Sequence, residues 1–326
     1  MRSIEEYQQL VLEELNTFQE SMTGKLSLYD PVQYILELGG KRMRPVLTLM
    51  ATDLFDGIVQ DSVKSALGIE VFHNFTLLHD DIMDNAPLRR GKATVHEKWN
   101  VNAAILSGDV MFVQAFTLVT SCKTEYLRAV IDIFNVTAIE VCEGQQLDMD
   151  FETRDDVSID EYLEMIRLKT SVLVGCSLEL GAVLANASKE DSRNLYDFGM
   201  NLGMAFQIKD DLLDVYGDAA LFGKQVGGDI LANKKTYLLL KALEDSSEQQ
   251  NKNLKVWLSN NDEESAALKV EKVTEIFNEL NIKEKADKLM DDYYNKAIQS
   301  LEKINLDTLK KEYLQGFADS LMARTY

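Results

Sequence analysis

The distribution of proline is the feature of this sequence that most limits how the chain can fold. Proline occurs only as Pro31, Pro45 and Pro87, although the chain runs on to residue 326. Proline removes a backbone donor and disrupts the interior of a helix, so a stretch this long without it is free to form long helices. The first prediction is therefore a largely helical protein.

Apolar residues recur every three or four positions along most of the chain. A capping box of Ser3 and Glu6 precedes Tyr7, Val11 and Leu15, which predicts an amphipathic first helix. Further helical patterns cover 61–85, 101–120, 125–149, 159–186, 190–216, 234–246 and 263–321. Because alternating apolar runs bounded by hairpin turns are not evident, we predict an all-α fold built as a bundle of long helices.

The domain organisation follows from the same patterns. They continue along the chain without a low-complexity linker, so we predict one domain over residues 1–326. Two segments interrupt them: 217–233, which is rich in Gly, and 247–262, which is rich in Asn, Ser and Glu. Both segments are expected to be mobile connections.

Charge, cysteine content and hydropathy restrict the environment of the protein. The chain has 34 basic and 54 acidic side chains, a formal net charge of -20, which argues against a nucleic-acid binder. Cys122, Cys142 and Cys176 form no metal-binding or paired pattern, and they predict buried thiols in the cytoplasm. The most apolar stretch, 172–187, is interrupted by Glu179 and is short for a membrane span, so we expect a buried helix and no membrane insertion.

Two pentapeptides, 80–84 and 210–214, repeat one pattern of charge. Each has two aspartates, two apolar residues and a third aspartate, and each ends an apolar helical pattern. On a helix the first and last aspartates share a face, where like charges cost roughly a few tenths of a kcal/mol. A bound Mg²⁺ would reverse this cost, because magnesium takes one or two carboxylates and completes its shell with water and phosphate oxygens. The alternative to a metal site is that the aspartates form a solvated acidic face. That alternative explains a single copy of the pattern better than it explains two copies.

A third acidic run, 148–152, imitates the start of a calcium-binding loop. Thr153 stands at the glycine position of such a loop, and Ile159 stands at the position of its bidentate glutamate. We therefore reject a calcium site at this run.

Basic residues cluster around both aspartate motifs more densely than an acidic chain would predict. Each alone could form a surface salt bridge, but together with metal-binding carboxylates they suit a diphosphate. His73 lies two helical turns before Asp80 on the same face, and it is either part of this site or a core histidine with satisfied hydrogen bonds. The basic residues are Lys41, Arg42, Arg44, Arg89, Arg90, Lys169, Lys224, Lys234 and Lys235.

Taken together, these motifs resemble those of the trans-isoprenyl diphosphate synthases, also called polyprenyl synthases. The resemblance runs by motif from Gly39 to Tyr237, and beyond that by helical pattern. It implies a homodimer and, in each chain, long helices around a deep central cavity across which the two aspartate motifs face each other. It also implies condensation of isopentenyl diphosphate with dimethylallyl, geranyl or farnesyl diphosphate, with three Mg²⁺ ions present when the allylic diphosphate is bound.

The resemblance implies a role for each matching residue. The expected metal ligands are Asp80, Asp84 and Asp210, then Asp81 and Asp214, and Asp211 belongs to the same catalytic motif. The expected ligands of isopentenyl diphosphate are Lys41, Arg44, His73 and Arg90. The expected ligands of the allylic diphosphate are Arg89, Lys169, Lys224 and Lys234, with Thr170 and Gln207 near the reacting carbons.

Two positions depart from the family pattern. Asn233 stands where a glycine usually precedes the last lysine, and Leu239 stands where many members carry proline. Both fall in the region expected to close over substrate, so the departures bear on loop geometry rather than on the chemistry.

The implied chemistry is ionisation followed by condensation. Magnesium and the basic residues would stabilise the departing diphosphate, so that an allylic carbocation forms in a water-free cavity and the alkene of isopentenyl diphosphate attacks it. Thr170, Gln207 and backbone carbonyls would stabilise the cation, and the departing diphosphate would accept the proton.

Two alternatives belong to other classes of protein. A class I terpene cyclase would carry a second metal motif of Asn, Ser and Glu type in place of 210–214. A non-catalytic subunit of a heteromeric synthase would be expected to have lost metal ligands, and here all are kept.

Product length is expected to depend on side chains just upstream of the first motif. At about 1.5 Å per residue, Thr76 lies about 6 Å and Phe72 about 12 Å below Asp80 along the helix. Thr76 lies on the face of the aspartates and Phe72 at its flank, whereas the gating role of Phe75 comes from the resemblance. Core packing is the alternative for both phenylalanines. In the farnesyl synthases that this motif resembles, aromatic residues stand at both the fourth and the fifth position before the motif. Here only Phe75 is aromatic, so we predict geranylgeranyl diphosphate as the product, with farnesyl diphosphate as the second choice.

Overall fold

Helices form nearly all the regular structure of the protein, as predicted. The computed structural model describes residues 1–217, 227–260 and 262–323. The helices are α1 Ile4–Glu20, α2 Asp30–Glu37, α3 Met43–Leu54, α4 Val59–Met83, α5 Val95–Lys98, α6 Val101–Val119, α7 Thr124–Glu152, α8 Ile159–Ile166, α9 Val172–Leu184, α10 Lys189–Tyr216, α11 Gly228–Leu231, α12 Tyr237–Asp245, α13 Glu248–Leu258, α14 Ala266–Glu279, α15 Ile282–Lys303 and α16 Thr308–Ala323. A π-helical turn, Arg167–Ser171, joins α8 to α9, and single 3₁₀ turns lie at Ser27–Tyr29 and Glu263–Ser265.

Side-chain caps begin several of these helices. In the predicted box at α1, Glu6 N donates to Ser3 Oγ and Ser3 N donates to Glu6 Oε2 at 2.7 Å. Helix α8 begins with an equivalent box of Ser158 and Glu161. Each box satisfies two backbone donors that the start of a helix leaves unpaired, which is why these short signals place the helix starts correctly.

The prediction that 247–262 is a mobile connection is wrong, because most of this segment is helix α13. This helix begins with a third capping box and buries Leu254 in the apolar core around it. The polar composition that suggested a loop is the solvent face of a short amphipathic helix. In the other predicted connection, 217–233, residues 218–226 lie outside the described ranges, and part of the remainder forms α11.

A short β-hairpin follows α4, and the sequence did not predict it. Strand β1 (Leu88–Arg89) pairs antiparallel with β2 (Lys92–Ala93). Arg90 and Gly91 join the strands with φ of 52° and 76°, the left-handed pair that a two-residue hairpin turn requires. The expectation that hairpins are absent is wrong here, because strands of two residues contain no alternating run to detect.

The chain divides into two compact units, each assembled from three stretches. Unit 1 comprises Met1–Ile139, Leu173–Tyr196 and Lys303–Lys310. Unit 2 comprises Glu140–Val172, Asp197–Glu302 and Lys311–Tyr326. In unit 2, helices α8, α10, α12 and α14 share one buried apolar cluster around Tyr162, Ile208 and Phe277. The single domain expected from the sequence stays a prediction.

In unit 1, α4 packs closely against α6 near the first aspartate motif. A Cβ atom at Gly108 of α6 would lie 2.1 Å from His79 Nε2 of α4, a separation that no side chain could tolerate. His79 Nε2 also lies 3.2 Å from the carbonyl oxygen of Ile105. The glycine therefore lets the two helices touch one residue before Asp80, which fixes the end of α4.

Two apolar helices have different environments. Helix α9 is buried, which confirms the prediction for 172–187 over most of its length. In the part of the chain that the structure describes, α6 is the one helix long and apolar enough to cross a membrane by length and composition, and 28% of the window is buried. The exposed apolar side chains of α6 are Val101, Ile105, Leu106, Phe112, Val113 and Phe116.

The three cysteines are free thiols in three environments. Cys176 is buried, Cys122 is half-buried and Cys142 is exposed. The prediction of buried thiols is therefore right for Cys176 and wrong for Cys142, which lies on an exposed face of α7.

Candidate active site

The first aspartate motif lies at the C-terminal end of α4, and its three carboxylates differ in exposure. Asp80 is half-buried, Asp84 is exposed, and Asp81 is only 2% exposed. Asp81 accepts hydrogen bonds from Arg89 Nε at 3.0 and 2.9 Å, and its Oδ1 forms an ion pair with Arg89 Nη2 at 2.8 Å. The structure thus turns the middle aspartate inward onto a guanidinium, while Asp84, the C-cap residue of α4, donates its backbone N to Asp80 O at 2.8 Å in the helical i, i+4 pattern.

Three arginines gather around His73 in unit 1. Arg44 Nη1 donates to His73 Nε2 at 3.1 Å. Burial, followed by the charges of Arg44, Arg90 and Arg89, holds the pKa of His73 well below its usual 6.5, so the ring is neutral at pH 7. A neutral ring can accept from Arg44 without adding a fourth positive charge to the cluster.

The glycine-rich loop after α2 lies against one of these arginines. Gly39 and Gly40 have φ of 80° and 138°, and a Cβ atom at Gly40 would lie 2.9 Å from Arg90 Nη2. In the described part of the chain, Arg44 Nε is buried and has no hydrogen-bond partner. A buried donor without a partner is costly, and a bound anion would supply the acceptor that Arg44 Nε lacks.

Two basic residues of the loop have different roles. Arg42 Nη1 forms an ion pair with Glu70 Oε1 at 3.0 Å, and Arg42 Nη2 donates to Leu36 O at 2.8 Å. Gln8 Nε2 donates to the backbone oxygen of Lys41 at 2.9 Å, which ties the loop to α1, while the Lys41 side chain is exposed. Arg42 therefore stabilises the loop, and Lys41 is the member that solvent or a ligand can reach.

The second motif, at the end of α10 in unit 2, repeats the inward middle aspartate with different partners. Asp210 is exposed, whereas Asp211 is 4% exposed. Tyr162 OH donates to Asp211 Oδ2, and Gln207 Nε2 donates to Asp211 Oδ1 at 3.3 Å. Thr170 Oγ1 in turn donates to Gln207 Oε1 at 3.4 Å. The predicted pocket residues Thr170 and Gln207 are thus brought together, in a chain that ends on a buried carboxylate.

Burial sets the protonation of this carboxylate. Burial raises the pKa of Asp211, the Tyr162 hydrogen bond lowers it, the charge of Asp229 raises it and the charge of Lys234 lowers it, and the net result is a pKa of about 7. Burial also raises the pKa of the Tyr162 hydroxyl well above 10, so this group stays a donor. Sequence reasoning missed Tyr162, since it lies 49 residues from Asp211 and belongs to no motif.

The last aspartate of the second motif holds the segment that follows it. Asp214 O accepts from Gly227 N at 2.6 Å, and Asp214 Oδ2 accepts from Asp229 N at 2.9 Å. Asp229 is a further carboxylate beside this motif that sequence reasoning missed, although Gly227-Gly228-Asp229 was a visible signal. Lys234 N donates to Asp229 O at 2.9 Å, and the Lys234 side chain is exposed. Lys224 lies outside the described residues.

The π-helical turn carries the other predicted basic residue of unit 2. Lys169 Nζ lies 2.6 Å from Asp148 Oδ2 of α7, an ion pair that also accounts for one member of the rejected calcium-like run. Such turns are rare and are frequently found at functional sites. Lys169 and Thr170 are adjacent within this turn, so the turn presents both predicted residues together.

The predicted gate residues join an aromatic cluster in unit 1. Phe72 is fully buried, and its ring centroid lies 5.7 Å from that of Phe75 and 5.2 Å from that of Phe134. Phe75 is half-buried and lies 5.3 Å from Phe112 of α6. Thr76 is half-buried, and its hydroxyl donates to the backbone of its own helix. Core packing thus accounts for Phe72, while Phe75 and Thr76 retain accessible surface.

No group of three or more His, Cys, Asp or Glu side chains within residues 1–217, 227–260 and 262–323 is close enough to hold a metal ion alone. Magnesium does not require such a cage, since one or two carboxylates and the phosphate oxygens of a substrate are its usual ligands. The outer carboxylates of each motif fit that donor set.

A sequence model of the polyprenyl synthetase family matches residues 25–278. The chain belongs to the polyprenyl synthetase family. It is 39% identical over 284 residues to the geranylgeranyl diphosphate synthase of Sulfolobus acidocaldarius, covering 85% of this chain and 84% of that protein. Among solved structures, a geranylgeranyl pyrophosphate synthase is 46% identical, with a TM-score of 0.95 and 100% of both chains covered.

A more distant relative in the family was solved with bound ligands. The geranylgeranyl pyrophosphate synthase of Corynebacterium glutamicum, complexed with isoprenyl diphosphate and magnesium, is 25% identical with a TM-score of 0.88, covering 99% of this chain and 100% of that one. Polyprenyl synthetases are prenyltransferases that use Mg²⁺, so this chain is a transferase with the isoprenoid synthase fold. Family membership favours this activity over the terpene cyclase alternative.

Proposed function

We propose that this protein condenses isopentenyl diphosphate with dimethylallyl, geranyl and farnesyl diphosphates and releases geranylgeranyl diphosphate. The observation that carries the proposal is the pair of aspartate motifs at the ends of α4 and α10, each accompanied by cationic side chains. The names of the relatives in Sulfolobus and Corynebacterium support the product. Farnesyl diphosphate is the alternative.

The outer aspartates are proposed to bind the metal, and the middle ones to support the site. Asp80, Asp84 and Asp210 would hold Mg²⁺, with three ions present once the allylic diphosphate is bound. Bound magnesium would neutralise charge on the departing diphosphate. Asp81 is occupied by Arg89, and Asp211 by Tyr162 and Gln207, which favours a supporting role for both.

The remaining site residues divide between the two diphosphates. Lys41, Arg44, His73 and Arg90 are proposed to bind isopentenyl diphosphate, which the unpartnered Arg44 Nε supports. Arg89, Lys169, Lys224 and Lys234 are proposed to bind the allylic diphosphate. Thr170 and Gln207 would orient their oxygens toward the developing cation, with Asp211 fixing the Gln207 amide.

The aromatic cluster is proposed to limit the length of the product. Phe75 would block the growing tail, Phe72 would support Phe75 from below, and the small Thr76 would leave room for a chain of twenty carbons. Phe75→Ala should lengthen the product, and Thr76→Phe should shorten it toward fifteen carbons. Phe18→Ala, a half-buried phenylalanine of α1 outside the cluster, is the matched control and should leave the product unchanged.

A homodimer in the cytoplasm is proposed, with the exposed apolar face of α6 covered by a second copy. The adjoining residues Val136 and Ile139 of α7 are also exposed, at 58% and 59%. Val113→Lys should yield monomers in sedimentation, whereas Val256→Lys, at an equally exposed valine of α13, should not. Binding of the wild-type protein to lipid vesicles instead would mean that this face meets a membrane.

The function is tested with purified protein, labelled isopentenyl diphosphate and each of the three allylic primers in turn. The expected result is a product of twenty carbons that requires Mg²⁺ and disappears in EDTA. A product that stops at fifteen carbons would identify a farnesyl synthase, cyclic hydrocarbons would identify a cyclase, and no incorporation would identify a non-catalytic subunit.

A further inference from the structure

Helix α14 carries a buried lysine that forms no ion pair within the described ranges. Lys269 is only 3% exposed. Its Nζ atom donates to Asn233 Oδ1 at 2.8 Å, to Asn260 O at 3.3 Å and to Leu231 O at 3.4 Å. An ammonium group has three donors, so these three oxygens use all of them. A buried charge held only by neutral oxygens is costly, which calls for a reason to keep it.

Two of its three partners belong to the segment that leads into Lys234. Asn233 is the residue directly before Lys234, and its φ of 53° lies in the left-handed region that glycine and asparagine accept most readily. This explains how asparagine occupies a position where family members usually carry glycine. Asparagine also supplies something that glycine lacks, namely the Oδ1 atom that accepts from Lys269.

The neighbour of Lys269 holds the other end of the same segment. A Cβ atom at Gly227 would lie 2.6 Å from Val270 Cγ1, so Val270 packs directly onto the start of the segment. Asp214 holds that start from α10, through Gly227 N and Asp229 N. Segment 227–234 is therefore held at its start by α10 and α14, and Lys269 of α14 holds it again near its end.

We propose that Lys269 is a positioning residue, which through Asn233 sets the place of the Lys234 ammonium and so its affinity for the allylic diphosphate. The proposal rests on the proposed function, which assigns Lys234 to that diphosphate. Few bonds separate Lys269 from Lys234. The side chain of Asn233, the residue before Lys234, accepts from Lys269. The backbone of Lys234 itself is bound on both sides, since its N donates to Asp229 O and its O accepts from Thr236 N. Loss of Oδ1 would free the end of the segment next to the binding group.

Asn233→Gly is the sharpest test, because glycine accepts the same backbone conformation and removes only the side-chain acceptor. We expect the KM for the allylic diphosphate to rise about tenfold, as for loss of one well-placed ionic contact, with the KM for isopentenyl diphosphate unchanged. Asn233→Asp keeps an acceptor facing Lys269 and should restore the wild-type KM. The matched control is Asn281→Gly, since Asn281 has a φ of 51° in the same unit and, within the described ranges, no side-chain bond to a lysine.

Lys269→Met tests the other partner while preserving the length of the side chain. We expect the same selective rise in KM and no further rise when Lys269→Met is combined with Asn233→Gly. Lys272→Met, at a half-buried lysine of the same helix that pairs with Glu271 and Glu275, is the control. If Lys269→Met does not fold, the Asn233 variants decide the question alone.

Amide hydrogen exchange over 229–235 gives a readout that does not depend on activity, and it should be faster in Asn233→Gly than in wild type. Three outcomes would each overturn the proposal. The allylic KM could be unchanged in Asn233→Gly, both KM values could rise in parallel, or the rises in allylic KM of the two single variants could multiply in the double variant. If the wild type makes no prenyl diphosphate at all, the proposed function is wrong. If the enzyme is active but amide hydrogen exchange is unchanged in Asn233→Gly, only the positioning role of Lys269 is wrong.

Discussion

The two aspartate motifs have the same spacing but hold their middle carboxylates in different ways. Asp81 is bound by the charged guanidinium of Arg89, while Asp211 is bound by the neutral donors of Tyr162 and Gln207. The first arrangement fixes a charge with a charge. The second extends through Gln207 to Thr170 and makes a buried carboxylate the anchor of a polar chain. Two motifs with the same spacing thus hold their buried middle aspartates through different partners.

Removing each support should give unequal losses of stability. Arg89→Met leaves Asp81 buried without its partner and should lower the free energy of unfolding by about 3–5 kcal/mol. Tyr162→Phe removes one of two neutral donors and should lower it by about 1–2 kcal/mol. Urea unfolding in EDTA measures both, with Arg128→Met, at an exposed pair with Asp132, as the control. Equal losses would show that the two supports do not differ.

The outer aspartates should behave alike in both motifs. Asp84→Ala and Asp210→Ala should each lower turnover about a hundredfold or more, as loss of a preorganised electrostatic group does, without unfolding the chain. Asp132→Ala, at an exposed aspartate outside the site, should have normal turnover. A folded Asp84 or Asp210 variant with near-normal turnover would reject the metal role for that motif.

Replacing Arg90 or Lys224 should separate the two proposed diphosphate sites. Arg90→Ala should raise the KM for isopentenyl diphosphate about tenfold, as expected for one lost charge-assisted contact, with less effect on the allylic partner. Lys224→Ala should do the opposite. Steady-state kinetics with each substrate varied in turn measures this, and equal shifts would mean that the two anion sites are wrongly assigned.

The smallest expected effect concerns pH and His73. Because burial and the arginines hold its folded pKa well below 6.5, the unfolded chain binds a proton there that the folded chain does not. Stability should therefore fall as the pH drops below about 6.5, by at most about 1.4 kcal/mol per pH unit from this group. His73→Gln should flatten that part of the profile in urea unfolding, and an unchanged profile would show that His73 does not carry this pH dependence.

Local signals and helical spacing predicted much of this fold. The capping box at Ser3 and the backbone bond from Asp84 N to Asp80 O depend on neighbours three or four residues apart, and both are found. The pattern 159–186 concealed the π-helical turn, because apolar spacing continues through it. The pattern 263–321 concealed two breaks, one of them at Asn281, whose left-handed backbone has no signature in hydropathy.

The supports of the site could not be predicted, because each joins residues far apart in the chain. Tyr162 reaches Asp211, and Lys269 reaches Asn233, across distances that no local pattern spans. The departure at Asn233 was visible in the sequence, but its reason, a lysine 36 residues later, was not. What a sequence shows best is which face of a helix carries the chemistry, and what it conceals is the partner that keeps that face in place.

If the proposed homodimer forms through the exposed apolar side chains of α6, the stability of the protein depends on its concentration. If copies associate through this face, folding and association are linked by mass action, and the thermal midpoint rises with protein concentration. Helix α6 also touches α4 at Gly108, beside the first motif. If the proposed dimer forms, dilution would uncover α6 beside the proposed metal-binding end of α4, and activity per molecule would decline in very dilute samples.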